Sequence, residues 1–281
     1  MNPGGESEHT TRMDLQETQA TWVQHARRDM AALLPADLRA RLLTRMDRIC
    51  ILLIGSAYSE HADRHSDVDV CVLMMEEKEY NAIRREREAL GRVQNETIVE
   101  ETEQGHCVIR AFSEVEACLR RYEEREMYVF GNALPVHDPN EVFQRMRERF
   151  REVPMEVLKE KVLEKMDHFR GRKRAYASAA QRGQVLIMLS ILLEGINAAL
   201  EIAALLDGRI VSTRKWLFEE ATAGPCGKEI KPIILDTLGC LEIYKEIRPV
   251  EHLSGDPIFR KWEEMEEILL RQAADRGVLM G

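Results

Sequence analysis

The stretch ILLIGSAYSEHADRHSDVDVCVL, residues 51–73, constrains the fold more than any other. Two short apolar runs are bounded by turn formers and separated by a polar loop of ten residues between Ser56 and Asp67. Such a pattern reads as strand, loop, strand. Side chains alternate along a strand, so Asp67 and Asp69 share one face, about 7 Å apart. Two carboxylates so placed reach a hard cation, and Mg²⁺ bridged to phosphates is the usual occupant. Gly55 lets the backbone approach a triphosphate closely, and Ser56 offers its hydroxyl and amide to phosphate oxygens. The pattern asks for a nucleotide.

An apolar strand, Gly55-Ser56, a ten-residue loop and then Asp67-Val68-Asp69-Val70 resembles the signature of the DNA polymerase β-type nucleotidyltransferase superfamily, especially its kanamycin nucleotidyltransferase-like, small-molecule branch. Leu134-Pro135-Val136-His137-Asp138 resembles the segment that ends the catalytic domain in that branch. The resemblance implies an α+β chain. A nucleotidyltransferase domain, a small mixed sheet with flanking helices, would span residues 12–139, and an all-helical bundle residues 140–281.

It also implies a reaction: a nucleoside monophosphate moves from a nucleoside triphosphate onto a hydroxyl of a small-molecule acceptor, releasing pyrophosphate. Asp67 and Asp69 would hold Mg²⁺, and Gly55 with Ser56 would seat the triphosphate. Ser59 and Arg64 in the loop would add phosphate contacts. A general base is expected from the helical half, where Asp167 falls nearest the corresponding place; Glu164, His168 and Glu194 are the rivals. Partial burial of Glu194 would raise its pKa toward a useful value.

One departure stands out. The resemblance implies a third metal carboxylate from the strand matched to residues 107–112, but that strand reads CVIRAF and carries no acid. Glu100, Glu101 and Glu103 on the preceding strand are the candidates to replace it. A hairpin turning at Gln104-Gly105 would set Glu103 opposite His106, Thr102 opposite Cys107 and Glu101 opposite Val108. Glu101 and Glu103 would share one face and Glu100 would take the other. The missing acid keeps a catalytically decayed nucleotide-binding protein open as an alternative. A protein-modifying, antitoxin-type nucleotidyltransferase is another, although those enzymes are usually one short domain and this chain adds a long helical half.

Composition narrows the partners. The chain has 281 residues, a length that suggests two domains. Its 40 basic and 49 acidic residues give a net charge of −9, which argues against gripping a nucleic-acid backbone. The six cysteines form no CxxC pair or zinc spacing; they read as reduced core thiols of a cytoplasmic protein. Residues 1–11 are polar, contain Pro3, Gly4 and Gly5, and read as flexible, without the apolar stretch of a secretion signal.

Helical spacing predicts helices over 13–34, 38–48 and 76–90, the last ended by Gly91. Ser113 followed by Glu116 has the form of a capping box. In the second half, helices are predicted over 140–150, 154–173, 184–206, 231–247 and 256–277. The run 184–206 is long enough to cross a membrane. Glu194, Asn197 and Glu201 form one polar stripe on it, however, so it reads as a bundle helix whose stripe lines a cleft or faces water, with no membrane partner. Arg214 and Lys215 beside Trp216 could hold a phosphate or could simply open a helix. The loop Gly224-Pro-Cys-Gly-Lys228 lacks the full phosphate-loop pattern.

Overall fold

In a computed structural model, the described residues are 34–55, 68–94, 97–102, 105–150, 152–211, 215–241, 250 and 252–279. The expected flexible start, nearly all of the helix over 13–34, and Ser56, Ser59, Arg64, Asp67, Glu103 and Arg214 lie outside them. The chain divides into two compact units, Met1–Arg151 and Glu152–Gly281.

In the first unit the strands are β1 (Ile49–Ile54), β2 (Val68–Met74), β3 (Val93–Gln94), β4 (Thr97–Thr102), β5 (Gly105–Ala111) and β6 (Leu134–His137). Among the described residues they form one six-stranded sheet in the order β3-β4-β5-β2-β1-β6. The pair β2–β5 is parallel and the others are antiparallel, so the sheet is mixed, as expected. One face is apolar at alternate positions: Ile49, Ile51 and Leu53 on β1, Val70 and Val72 on β2, Cys107 and Ile109 on β5. That face packs against helices α1 (Ala36–Leu43), through Leu38 and Leu42, and α2 (Glu77–Glu88), through Tyr80 and Ile83. Each fully buried Leu or Ile stabilises the unit by about 1.5–3 kcal/mol, which fixes the register of the inner strands.

Helices α3 (Phe112–Arg120), α4 (Glu124–Gly131) and α5 (Val142–Arg149) follow β5 and β6. Helix α3 leaves the strand directly at Ala111, with no side-chain cap, so Ser113 lies inside the helix and does not open it. Asp138 accepts hydrogen bonds from the Phe143 and Gln144 amides and from the Cys50 thiol, tying α5 to β1. That tie explains why the first unit runs on to Arg151 instead of ending at residue 139.

The second unit is helical: α6 (Met155–Gln181), α7 (Val185–Leu206), α8 (Leu217–Ala221), α9 (Pro225–Gly239) and α10 (Pro257–Asp275). Helix α6 passes the expected end at Lys173 because Arg174–Gln181, with four alanines, offers no breaker. Helix α7 is long and apolar enough to span a membrane, and it is also the most buried element of this core. Trp262 of α10 is fully buried against Phe169 and Tyr176, at centroid distances of 5.0 and 6.0 Å, and lies over Gly195 of α7. The polar stripe of α7 is ion-paired with α6: Glu194 meets Arg172 and Glu201 meets Lys165, each at 2.9 Å. Asp207, its carboxylate almost wholly buried, accepts from the Cys226 and Gly227 amides at the start of α9 and pairs with Arg276.

Candidate functional site

The register of four strands places a row of residues abreast on the sheet face opposite α1 and α2. Ile54 pairs with Asp69, Asp69 with His106, and His106 with Glu101. The next row inward is Leu52, Cys71, Val108 and Val99, and Cys50, Leu73 and Arg110 stand in the third. The first row lies where β1 runs out into Gly55. The Asp69 side chain is 32% exposed and that of His106 47%.

Gly55 has φ +89°, a conformation that a side chain opposes. A Cβ built there would lie 2.6 Å from Asp69 Oδ2, so the missing side chain is what leaves the carboxylate its space. The second contact to Asp69 comes from His106, whose Nδ1 is 3.1 Å from Oδ1. Sequence reasoning missed His106, because the third group was sought only among carboxylates, first in residues 107–112 and then at Glu100, Glu101 and Glu103. Its signal is the alternation itself: the first residue of β5 after Gly105 shares the face of Val108 and Arg110.

The hairpin differs from the expected register. Thr102 pairs with Gly105, Glu101 with His106 and Glu100 with Cys107. Gly105 already belongs to the strand, at φ +150°, so the pairing closes with Thr102 opposite Gly105 and not with Glu103 opposite His106. Glu101 is therefore the acid abreast of His106, and it is exposed. Glu100 lies on the other face, 4% exposed, with Arg87 Nη1 of α2 3.4 Å from its Oε1. It serves the packing of α2 and is turned away from Asp69.

Among the described residues no group of three or more His, Cys, Asp or Glu side chains could hold a metal ion. Asp69 by itself supplies carboxylate oxygens, the kind of donor a hard cation takes.

The same face carries a cavity of about 300 Å³. Its floor is Cys71, Val108 and Val99, with Ile54 at one edge, and its wall comes from α3 and α4 through Glu114, Val129 and Phe130. Burial pushes the Cys71 thiol up to about 12, so this cysteine is floor and not nucleophile. Arg110 Nη1 donates to Glu126 Oε2 at 2.5 Å and Nη2 to Glu114 Oε1 at 3.5 Å, and the guanidinium lies 5.9 Å from the Phe130 ring centroid.

In the helical unit, Glu164, Asp167 and His168 are exposed on α6, while Glu194 is taken up by Arg172. Lys215 is exposed with Nζ 5.0 Å over the Trp216 ring.

No protein-family model and no curated protein matches the chain. Among solved structures it is similar to a nucleotidyltransferase-like protein from Exiguobacterium sibiricum, with 9% identity, coverage of 84% of this chain and 73% of that one, and a TM-score of 0.47. At that identity and score the likeness assigns neither an activity nor a ligand.

Proposed function

We propose that the chain is a Mg²⁺-dependent nucleotidyltransferase that moves a nucleoside monophosphate from a nucleoside triphosphate onto a hydroxyl of a small molecule. The observation that carries this reading is the close approach of Gly55 to Asp69: a glycine at positive φ just past the end of β1 leaves room for the carboxylate of β2, in the sequence setting Gly55-Ser56 and Asp67-Val68-Asp69. Asp67 and Asp69 would hold the metal, which supplies neutralisation of phosphate charge. Gly55 and Ser56 would cradle phosphate oxygens, with Ser59 and Arg64 as further contacts. His106 holds the Asp69 carboxylate by Nδ1, fixing its orientation. Asp167, exposed on α6, is the carboxylate proposed to take the acceptor's proton. Positioning and electrostatics supply most of the rate in such a transfer.

A second reading, nucleotide binding without transfer, is favoured by one observation: β5 reads GHCVIRA, and a histidine, not an acid, stands abreast of Asp69.

The test is a melting-temperature titration with nucleoside triphosphate, with and without Mg²⁺, alongside an assay for label passing from the α-phosphate to hydroxylated metabolites. A gain that needs the metal is expected by mass action on the folded state, and Asp67→Ala with Asp69→Ala should abolish it. An equal, metal-dependent gain in the double variant refutes the site. Binding without transfer to any acceptor selects the second reading.

A further inference from the structure

The cavity beside the Asp69 row has a position, size and charge pattern that point to its occupant. We propose that it seats the acceptor, and that the acceptor is a compact, non-cationic hydroxylated molecule with an apolar body. This inference rests on the nucleotidyl-transfer reading.

Position comes first. Gly55, the phosphate-side residue, lies at the end of β1 on one flank of Asp69. The floor of the cavity runs from Cys71 on β2 through Val108 on β5 to Val99 on β4, one register row in from Asp69 and His106; Ile54 of β1 touches it at one edge, and the rest of it extends away from β1, toward β4. In the transfer, the acceptor oxygen forms a bond to the α-phosphorus while the bond to the bridging oxygen breaks. Pyrophosphate leaves with that electron pair, and the hydroxyl proton passes to a base. Attacking and leaving oxygens lie roughly in line, so a nucleotide held from the β1 side takes its acceptor from the β5 side.

Size and charge narrow the class. About 300 Å³ is at the low end for small-molecule sites, and suits one or two rings instead of a long oligomer. Cys71, Val99, Val108, Val129 and Phe130 offer an apolar body of contact. Both carboxylates of the wall, Glu114 and Glu126, are already held by Arg110. A polycation would have to draw them off a guanidinium that is only 12% exposed, leaving a buried charge without its partners. Arg125 is exposed at the margin, with Gln94 and Thr97, and these donors favour a neutral or monoanionic molecule.

The experiment uses the full chain with Mg²⁺ and a non-hydrolysable nucleoside triphosphate. Size-matched hydroxylated ring compounds in monoanionic, neutral and polycationic sets are screened by saturation-transfer NMR against wild type and Val108→Trp, which fills the floor. Val129→Trp on the α4 wall replaces it should Val108→Trp not fold. Neutral or monoanionic compounds are expected to bind wild type and to weaken at least about tenfold in the filled variant, whose nucleotide-dependent melting gain stays intact. Preferred binding of polycations overturns the proposal, as does binding that ignores the filled cavity, or no binding of any set while the nucleotide gain is present. Absence of that gain in wild type removes the nucleotidyl-transfer reading itself, and this inference with it.

Discussion

Replacing Gly55 by alanine tests the phosphate side of the site most sharply. The new methyl would start 2.6 Å from Asp69 Oδ2, and must push the carboxylate back to an ordinary contact of about 3.4 Å, against the grip of His106 at 3.1 Å. Backbone strain adds to this, since an L-residue at φ +89° costs roughly 1–2 kcal/mol. Displacing a carboxylate that accepts a charge-assisted contact is worth about 1.5–3 kcal/mol, so affinity for the Mg²⁺-nucleotide should fall about ten- to hundredfold. Gly91→Ala is the control: φ there is +69° and nothing lies within 4 Å of the added methyl, so it carries strain without encroachment. Gly91→Ala should lose about 1 kcal/mol of stability and Gly55→Ala more, read from denaturant midpoints. Only Gly55→Ala should lose nucleotide affinity, read by isothermal titration. Equal affinities in the two variants would show that Asp69 does not meet the nucleotide.

Other expectations concern the opposite sheet face and the helical unit. Glu100→Gln should destabilise the first unit by about 1–3 kcal/mol in chemical unfolding, because Arg87 loses a buried partner on the helix-covered face; Glu101→Gln, exposed on the other face, should leave stability within about 0.5 kcal/mol. Gly195→Ala puts a methyl 1.8 Å from Trp262 Cη2, and because that ring is fully enclosed the cost should reach the upper part of about 1–3 kcal/mol, visible as a lower melting temperature and altered tryptophan fluorescence. Burial alone would raise the Glu266 carboxyl, but hydrogen bonds from Lys173 at 2.9 Å and Arg170 at 2.7 Å outweigh it and hold the group below its ordinary value of 4.5. Stability from a depressed carboxylate is present above that value and is lost as pH falls through the lower folded one, so Glu266→Gln should cost about 2 kcal/mol at neutral pH. The gap between the two proteins should close in acid, and one that stays constant down to pH 3 or so, below the ordinary range, would contradict the pairing.

The succession of strand, loop and strand around residues 49–74 was legible in the sequence, because two short apolar runs are bounded there by turn formers; which apolar residues share a face was not, since Ile49–Ile54 is apolar throughout. Nor was the hairpin register. Gly105 looks like a turn residue in the sequence, but at φ +150°, a value glycine tolerates, it is already the first residue of β5, and the pairing it begins sets Glu101 against His106 and not against Val108. Ser113 and Glu116 have the letters of a cap, yet α3 grows straight out of β5, where Ala111 is already fixed by its pairing with Met74. The polar stripe of α7 was visible as a stripe. Its partners, Arg172 and Lys165, could not be read, since they depend on how α6 lies along it.

The two margins of the sheet have a consequence for how this protein keeps to itself. At one margin, among the described residues, β3 is two residues long; at the other, β6 is four, contains Pro135 and is out of step with β1 between Ile51 and Leu52. A proline has no amide hydrogen to offer a newcomer, and a two-residue strand presents too few unpaired groups to template one. The long, apolar strands β1, β2 and β5, which would aggregate readily if left at a border, are all interior. Lengthening β3 or replacing Pro135 would expose the kind of open rim on which chains add to one another in register.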